Sequence, residues 1–404
     1  MKKICVIMGG VLPVPAIYGG GIETLIESII KKYSREDGFE LTICSVYYPE
    51  AERVSKKYPE IKFFWTHTRS IKYMFLHAFF LGIRILTGKN IRVLQRHYNE
   101  IKKLLNEENF DLIIAEGGDT QAILDIAKDY RKEQFVNHVH VHRKPSQSIA
   151  DGYGNIIGVS NFITQEYSKV CNKTVRDYVL KNGINLNLFM KKASEEKKIE
   201  IRKKLKLKHN DFIILFVGRI SAEKGLLELV QAVTELQDRS IKMIILGGAN
   251  SGKWTLSGYE EKIKKLARKN GEQFLFEGYI ENDEICNYAA LADIQCIPTL
   301  IEEAAGLVLL EAMAAGLPTV ITKSGGMVEY ATEETSIIIE RENIVENLKK
   351  AILYLKNNPE VREKMSLAAK KQSQQFNEEW YYRSFADIVK EILSKNAGQG
   401  EITK

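Results

Sequence analysis

The stretch FIILFVGRISAEKGLLELVQAVTELQDRSIKMIIL, residues 212–246, decides the fold class. It holds a continuous apolar run at Phe212–Val217, a helical pattern at Gly225–Leu236 and a second apolar run at Ile241–Leu246. Two strands separated by a helix predict a βαβ unit, in which the strands are parallel. Because both runs are apolar almost throughout, the strands are predicted to be buried on both faces of their sheet.

The same alternation continues on both sides of this unit. Toward the C-terminus it runs to Ser336–Ile339, and upstream it is interrupted by the charged segment Lys191–Lys208. We interpret that segment as the crossing between two domains plus a solvated helix. The sequence therefore predicts two doubly wound, Rossmann-like α/β domains facing a cleft, with residues 1–190 in the first and 191–376 in the second. The apolar runs of the first half are Ile4–Met8, Leu41–Val46, Leu112–Ala115, Phe135–Val141 and Ile156–Val159.

The C-terminal tail carries two helical patterns. Apolar residues repeat at i, i+3 and i+4 from Ile344 to Leu355, and again, with aromatic side chains, from Trp380 to Ile392. A last helix this aromatic must be packed against something. We therefore expect the helix in residues 377–404 to pack back onto the first domain.

The composition excludes several classes of protein. The 404 residues suit two domains, and 45% hydrophobic with 27% charged residues exclude a wholly disordered chain, a collagen-like fibre and a polytopic membrane protein. The five cysteines are scattered and form no C-x-x-C pair, which disfavours a zinc site or a disulfide framework. The apolar run after Lys3 is too short for a signal peptide, so we expect a cytoplasmic protein.

Two carboxylates stand out in PTLIEEAAGLVLLEAMAAGLPTV, residues 298–320. A helix is predicted over Ala304–Ala315, and in a helix Glu303 and Glu311 would lie on nearly one face, about 12 Å apart along the axis. Small residues between them would let a ligand approach the backbone, and free N–H groups at a helix start favour phosphate. Carboxylates suit sugar hydroxyls. An alanine-rich core helix preceded by solvated acids explains the spacing equally well.

A second stretch, FVGRISAEKG at residues 216–225, places Arg219 and Lys224 in the loop after a strand. Ligands bind at such strand ends in open α/β sheets, and an arginine with a nearby lysine suits two phosphates. Alone, the loop also fits an ordinary basic surface turn. Together, the two stretches would supply phosphate contacts and sugar contacts.

GRISAEKG, followed by the E-x7-E pattern of Glu303 and Glu311, resembles glycosyltransferase family 4, the retaining sugar transferases of GT-B fold. The resemblance spans residues 4 to 390 and is densest in the second half. Further matches are Gly19–Gly21 followed by Glu23, Val159–Ser160, Asn182–Ile184 with Phe189, and Gly278–Tyr279.

The resemblance implies a role for each matching residue. Arg219 and Lys224 would hold the diphosphate of the donor, Glu311 the nucleotide ribose, and Glu303 the hydroxyls of the transferred sugar. The family generally needs no divalent metal, and the chain contains no D-x-D motif, so we expect no metal and no cofactor, with a nucleotide sugar, expected to be a UDP-sugar, as substrate. The other residues that it assigns to donor binding are Gly20, Gly21, Tyr279, Gly306 and Leu307.

A strand-end histidine near the reactive centre of the sugar is also implied. The run Asn137-His-Val-His-Val-His142 offers three, and alternation along a strand places His138, His140 and His142 on one face. His142 stands last, where the strand opens into a loop, so we favour it, with His140 second. A zinc site on the three histidines is disfavoured because no acidic or cysteine ligand lies at a suitable spacing.

The resemblance implies transfer of a sugar with retention of configuration. Glycoside hydrolysis by Glu303 and Glu311 is a competing interpretation, but it gives no reason for the Arg–Lys loop. Two rivals remain: a 2-epimerase acting on the sugar nucleotide itself, and a non-catalytic scaffold that binds sugar nucleotides.

The segment 61–105 is basic and aromatic. It has nine Lys or Arg against one acid, Glu100, while the whole chain has a mild net charge of +6. Its apolar stretch is too short, and is interrupted by too many charged residues, to span a bilayer. An anionic membrane surface fits this pattern, as does a buried helix with a basic rim; nucleic-acid binding fits less well, because no recognition motif accompanies it. On the membrane interpretation the protein is peripheral on the inner face of the membrane. Its acceptor is then a lipid-linked saccharide of capsule, exopolysaccharide or lipopolysaccharide synthesis.

Overall fold

A computed structural model describes residues 1–68, 95–172, 174–191, 193–248, 258–269 and 271–400. The chain divides into two compact units, Met1–Asn182 with Glu378–Lys404, and Gly183–Asn377. Most of the predicted membrane-binding segment, residues 69–94, lies outside the described residues.

The first unit is built on a parallel sheet whose strand order is β3-β2-β1-β4-β5-β6-β7. Its strands are β1 Lys2–Met8, β2 Phe39–Val46, β3 Lys62–Thr66, β4 Leu112–Glu116, β5 Phe135–Val139, β6 Asn155–Gly158 and β7 Arg176–Val179. The helices described in this unit are α1 Gly21–Lys32, α2 Pro49–Ser55, α3 Gln95–Glu107, α4 Thr120–Ala127, α5 Gln147–Ala150, α6 Asn161–Ser168 and, at the C-terminus, α15 Glu378–Gly400.

The second unit repeats the architecture with the strand order β10-β9-β8-β11-β12-β13. Its strands are β8 Phe212–Val217, β9 Ile241–Leu246, β10 Phe274–Gly278, β11 Ile294–Ile297, β12 Thr319–Thr322 and β13 Ser336–Ile339. Its described helices are α7 Leu186–Phe189, α8 Glu195–Lys204, α9 Leu226–Glu235, α10 Gly258–Arg268, α11 Asn282–Ala289, α12 Leu307–Ala315, α13 Ile344–Asn357 and α14 Pro359–Ser373.

Strand β8 shows why these residues fold this way. Phe212, Ile214 and Phe216 pack into one hydrophobic core, on the side of α9 and α13. Ile213 and Leu215 point to the opposite core, on the side of α8, α11 and α12. Both faces of the strand are therefore buried, as its continuous apolar run predicts. The prediction of two doubly wound, Rossmann-like α/β units is confirmed.

The unit boundary lies earlier than residues 190 and 191. Helix α7 packs against α11 and α12, and the backbone of Ile184 pairs with Asn377, so the second unit begins at Gly183. Sequence patterns place the boundary at the charged run instead, because they detect composition and not packing.

The last helix, α15, belongs to the first unit and packs along α1. Ser28 of α1 donates a hydrogen bond of 3.0 Å to the carboxylate of Glu378, and the amide of Asn396 donates one of 2.7 Å to the carbonyl of Glu133. None of the described helices combines the length and the apolarity needed to cross a bilayer.

Candidate functional site

The two predicted ligand-binding loops of the second unit lie side by side. They follow β8 and β11, which are neighbouring strands at the point where the strand order reverses. The N–H of Leu300 and the hydroxyl of Thr299 both donate to the carbonyl of Glu223, at 2.8 and 3.1 Å. In doubly wound sheets, ligands bind in the crevice at this reversal point.

Close approach of these loops requires a glycine at position 225. Its φ is +66°, and an added Cβ would stand 1.9 Å from the carbonyl oxygen of Pro298. A side chain at this position would therefore both strain the backbone and force the loops apart.

Lys224 and Glu303 meet in the space that this arrangement creates. The ammonium of Lys224 donates to Glu303 Oε1 at 2.5 Å, and the hydroxyl of Thr299, which shares its single hydrogen with the carbonyl of Glu223, lies 3.0 Å from the same oxygen. Both charged side chains are partly buried, with 26% and 20% of their surface exposed. One cation and one anion thus lie together at the reversal point.

Glu302 and Glu303 have different partners. Glu302 forms an ion pair with Arg341 and accepts the N–H of Gly325, which ties it to the body of the unit. Glu303 is held through its backbone N–H, which donates to Ser324 Oγ at 3.1 Å. Neither is a freely solvated acid, so the alternative of solvated first-turn acids does not describe them.

The helix predicted over Ala304–Ala315 begins at Leu307 instead. Gly306 precedes it, in a non-helical conformation, so Glu303 lies in the loop and the expected eight-residue helical spacing to Glu311 does not apply. Gly306 has no side chain to cap the helix, and a Cβ there would come within 3.1 Å of Met327. The N–H groups of Leu309 and Leu310 donate to the carbonyl of Gly306, whereas those of Leu307 and Val308 have no acceptor among the described residues.

Arg219 lies in the loop after β8 and is exposed. The N–H of the next residue, Ile220, donates to the carbonyl of Gly248 at 3.1 Å, which anchors the loop beside the end of β9. Among the described residues the guanidinium has neither an ion pair nor a hydrogen bond, so its charge is available to a ligand.

Glu311 lies in the second turn of α12. Burial raises the pKa of its carboxyl to about 7, and no described residue offers it a hydrogen bond or a cation. An acid in this position is poised between its neutral and its charged form near neutral pH.

The remaining predicted donor residues are spread over both units. Tyr279 follows β10 and is 55% exposed; its hydroxyl donates to Glu281 at 3.3 Å, and burial together with Glu281 raises its pKa. Gly20 and Gly21 belong to the first unit, where Gly20 has φ +101° and precedes the first residue of α1. A Cβ on Gly20 would clash with the carboxylate of Glu23.

The three histidines have distinct environments. His138 and His140 are buried against Glu116, the last residue of β4, which contacts His138 Nδ1 at 3.0 Å and His140 Nε2 at 2.5 Å. Strand β5 ends at Val139, two residues before its predicted end. His142 therefore lies beyond the strand, and strand alternation does not place it on the same face as His138 and His140. His142 is partly exposed, and its ring lies 5.1 Å from that of Phe162.

Glu116 is the residue that sequence reasoning missed. It lies beside two of the histidines, so the argument that no acidic side chain accompanies them is wrong. The ligand comes from the neighbouring strand, with Glu116 paired opposite His138, and sequence spacing cannot show this. One feature of the sequence could have indicated Glu116 as a site residue: it is a charged residue at the end of the apolar run 112–115, and two glycines follow it.

Comparison with known proteins agrees with this architecture. Residues 197–372 match the family model for glycosyl transferases group 1. The chain is 24% identical over 347 residues to the lipopolysaccharide 1,2-N-acetylglucosaminetransferase of Salmonella typhimurium, covering 82% of this chain and 83% of that protein. The match and the relatives named as glycosyltransferases support transferase activity.

Solved glycosyltransferases share the fold along nearly the whole chain. The glycosyltransferase of Rickettsia africae superposes with a TM-score of 0.74 at 20% identity, covering 97% of this chain and 99% of that one. HepE of Anabaena, solved with UDP and glucose, superposes with a TM-score of 0.71 at 20% identity, covering 96% and 99%.

The raised pKa of Glu311 predicts a pH-dependent effect of Glu311→Gln on stability. Burial favours the neutral acid, so the wild-type carboxyl costs nothing below its ordinary pKa of 4.5, becomes progressively more destabilising as the pH rises from there to about 7, and has its full effect above that pH. Relative to wild type, the variant should gain roughly 3 kcal/mol between pH 4.5 and pH 8. Thermal unfolding at both pH values measures this. Glu363→Gln, at an exposed position on α14, is the control, and an equal difference at both pH values would contradict the assignment.

Proposed function

We propose that this protein is a retaining glycosyltransferase that moves a sugar from a nucleotide diphosphate sugar, a UDP-sugar, to a glycan acceptor. The observation that carries the proposal is the grouping of Arg219, Lys224 and Glu303 at the strand-order reversal of the second sheet. Basic groups for a diphosphate and a carboxylate for sugar hydroxyls are what such a donor requires.

Donor binding uses the charges at the reversal point. The diphosphate contacts the available guanidinium of Arg219 and the ammonium of Lys224, which is paired with Glu303. When phosphate oxygens share the lysine, the Glu303 carboxylate can accept hydrogen bonds from the sugar. The N–H groups of Leu307 and Val308, which have no acceptor among the described residues, supply further phosphate contacts.

The remaining donor residues have separate roles. In the second unit, Glu311 accepts the ribose hydroxyls and Tyr279 binds the base. In the first unit, Gly20 and Gly21 expose backbone N–H groups suited to a phosphate.

The reaction breaks the bond between the anomeric carbon and the phosphate oxygen, and the electron pair leaves with the diphosphate. The acceptor hydroxyl attacks the anomeric carbon from the same face and passes its proton to the departing phosphate oxygen. Arg219 and Lys224 stabilise the charge that develops on the leaving group, in place of a divalent metal, so no cofactor is required. His142, the most accessible of the three histidines, is our choice for the group near the sugar, with His140 second.

We infer that the acceptor is a lipid-linked saccharide. The Salmonella relative acts, by its name, on lipopolysaccharide, and the segment 61–105 has the basic and aromatic composition of a membrane-surface sequence. The role would be assembly of a cell-envelope polysaccharide by a cytoplasmic enzyme that docks on the membrane.

Nucleotide binding is the first test. Among UDP, GDP, ADP and CMP, we expect UDP to raise the melting temperature of the wild type, because a ligand at a hundred times its Kd adds about 2.7 kcal/mol of stability. The shift should be lost in Arg219→Ala and kept in Arg268→Ala, which removes an exposed arginine from α10. No response to any nucleotide would overturn the proposed donor site.

Product analysis tests the reaction. With a UDP-sugar and a lipid-linked saccharide, we expect a new glycoside whose anomeric NMR signals show the configuration of the donor. Turnover of the donor to another sugar nucleotide without acceptor would identify an epimerase instead. An inverted linkage would contradict retention and leave donor binding intact.

Membrane docking has its own test. The wild type should float with anionic vesicles and not with neutral ones, because the nine basic residues of 61–105 meet lipid phosphates. Replacing these lysines and arginines with glutamine should abolish flotation while leaving the UDP-induced thermal shift. Unchanged flotation would remove the membrane part of the proposal.

A further inference from the structure

A buried acid and two buried imidazoles lie at the carboxyl end of β4 and β5, outside the donor residues proposed above. Glu116 and His138 have no exposed surface, and the side chain of His140 is 4% exposed. Both imidazoles contact the same carboxylate, at 3.0 and 2.5 Å, and the two rings lie 4.0 Å apart. A buried charge destabilises a protein unless it is hydrogen-bonded, so a buried Glu116 carboxylate requires hydrogen-bond partners such as these two imidazoles.

The chemistry of a carboxylate fixes where the protons are. An ionised carboxylate only accepts hydrogen bonds, so the nitrogens that face Glu116, His138 Nδ1 and His140 Nε2, both carry hydrogen. Burial opposes ionisation of Glu116, yet attraction to His138 and the hydrogen bonds from both rings hold its pKa at about 2. Burial and the neighbouring His138 lower the pKa of His140, which favours a neutral ring. His140 is then the Nε2–H tautomer, with a bare Nδ1.

The distances from Glu116 to the two imidazoles fit hydrogen bonds better than they fit shared coordination of a metal ion. Zinc bonds of about 2.0–2.2 Å at tetrahedral angles would hold two ligand atoms about 3.4 Å apart. The observed separations of 3.0 and 2.5 Å are hydrogen-bond lengths. The outer nitrogens, His138 Nε2 and His140 Nδ1, are also buried and have no hydrogen-bond partner among the residues that the structure describes, whereas histidines that bind metal usually donate their second N–H.

The cluster of Glu116, His138 and His140 lies at the start of the loop that carries His142. Glu116 is the last residue of β4 and pairs across the sheet with His138 of β5. His140 is the first residue after β5, and His142 follows two residues later. The carboxylate therefore ties the end of one strand to the start of the loop that leaves its neighbour.

We propose that Glu116 is a positioning residue, which holds His140 as its Nε2–H tautomer and fixes the start of the loop that carries His142. This deepens the proposed function, on which its catalytic consequence rests. The carboxylate acts through the imidazoles and has no contact with substrate.

The direct test is the protonation state of the histidines in the wild type. Two-dimensional 15N NMR of protein labelled at histidine distinguishes a bare ring nitrogen from a protonated one, and assignment uses His138→Gln and His140→Gln. We expect the His140 signals of the Nε2–H tautomer at pH 7.5. The Nδ1–H tautomer or a cationic His140 would overturn the proposal, even if no variant of Glu116 folds.

Glu116→Gln tests the consequence. Its carboxamide is neutral, and its nitrogen puts a donor where the carboxylate has its second acceptor oxygen, so it holds the two ring N–H groups less strongly than the charged carboxylate does. We expect kcat/KM to fall at least tenfold, with the UDP-induced thermal shift unchanged. Glu107→Gln, at an exposed position on α3, is the matched control and should leave both unchanged.

Other outcomes would overturn the proposal. Wild-type kcat/KM in Glu116→Gln would show that the carboxylate positions nothing, and stoichiometric zinc lost in that variant would put a metal where the protons are assigned. If the wild type shows no transfer and no nucleotide shift, the proposed function fails, while the 15N spectrum still decides the tautomer.

Discussion

The contact between the backbone at Gly225 and the carbonyl of Pro298 is the constraint on which the second unit's site depends. Only a residue without Cβ fits there, and its left-handed φ turns the chain from the loop after β8 into helix α9. The loops after β8 and β11 can then share hydrogen bonds through Glu223. Without that approach, Lys224 and Glu303 could not meet at 2.5 Å.

The pairing of Lys224 with Glu303 stabilises two charges that are largely buried. Each desolvated group finds an opposite charge, and Thr299 adds a neutral donor. Arg219, in contrast, remains exposed and unpaired among the described residues. When a donor binds, Lys224 would gain phosphate contacts and Glu303 would gain hydroxyl contacts in place of their contact with each other. Neither buried charge would then lose its polar partner.

The sequence predicts the second unit well because its signals are local. The apolar runs at Phe212–Val217 and Ile241–Leu246 appear as β8 and β9 with the same bounds, and glycine marks the tight turn between β8 and α9. Prediction fails where a partner is distant in sequence. The helix after β11 starts three residues late because Gly306 interrupts alanines that favour a helix, and Glu116 finds its histidines only across two paired strands.

The return of α15 to the first unit has a consequence for the order in which the protein is made. Gly183–Asn377 is an uninterrupted stretch, so the second unit can fold on the ribosome as soon as that stretch has emerged. The first unit begins earlier but stays unfinished, because the surface of α1 around Ser28 waits for Glu378 and the helix that follows it. The part of the chain that is synthesised first is therefore the part that is completed last.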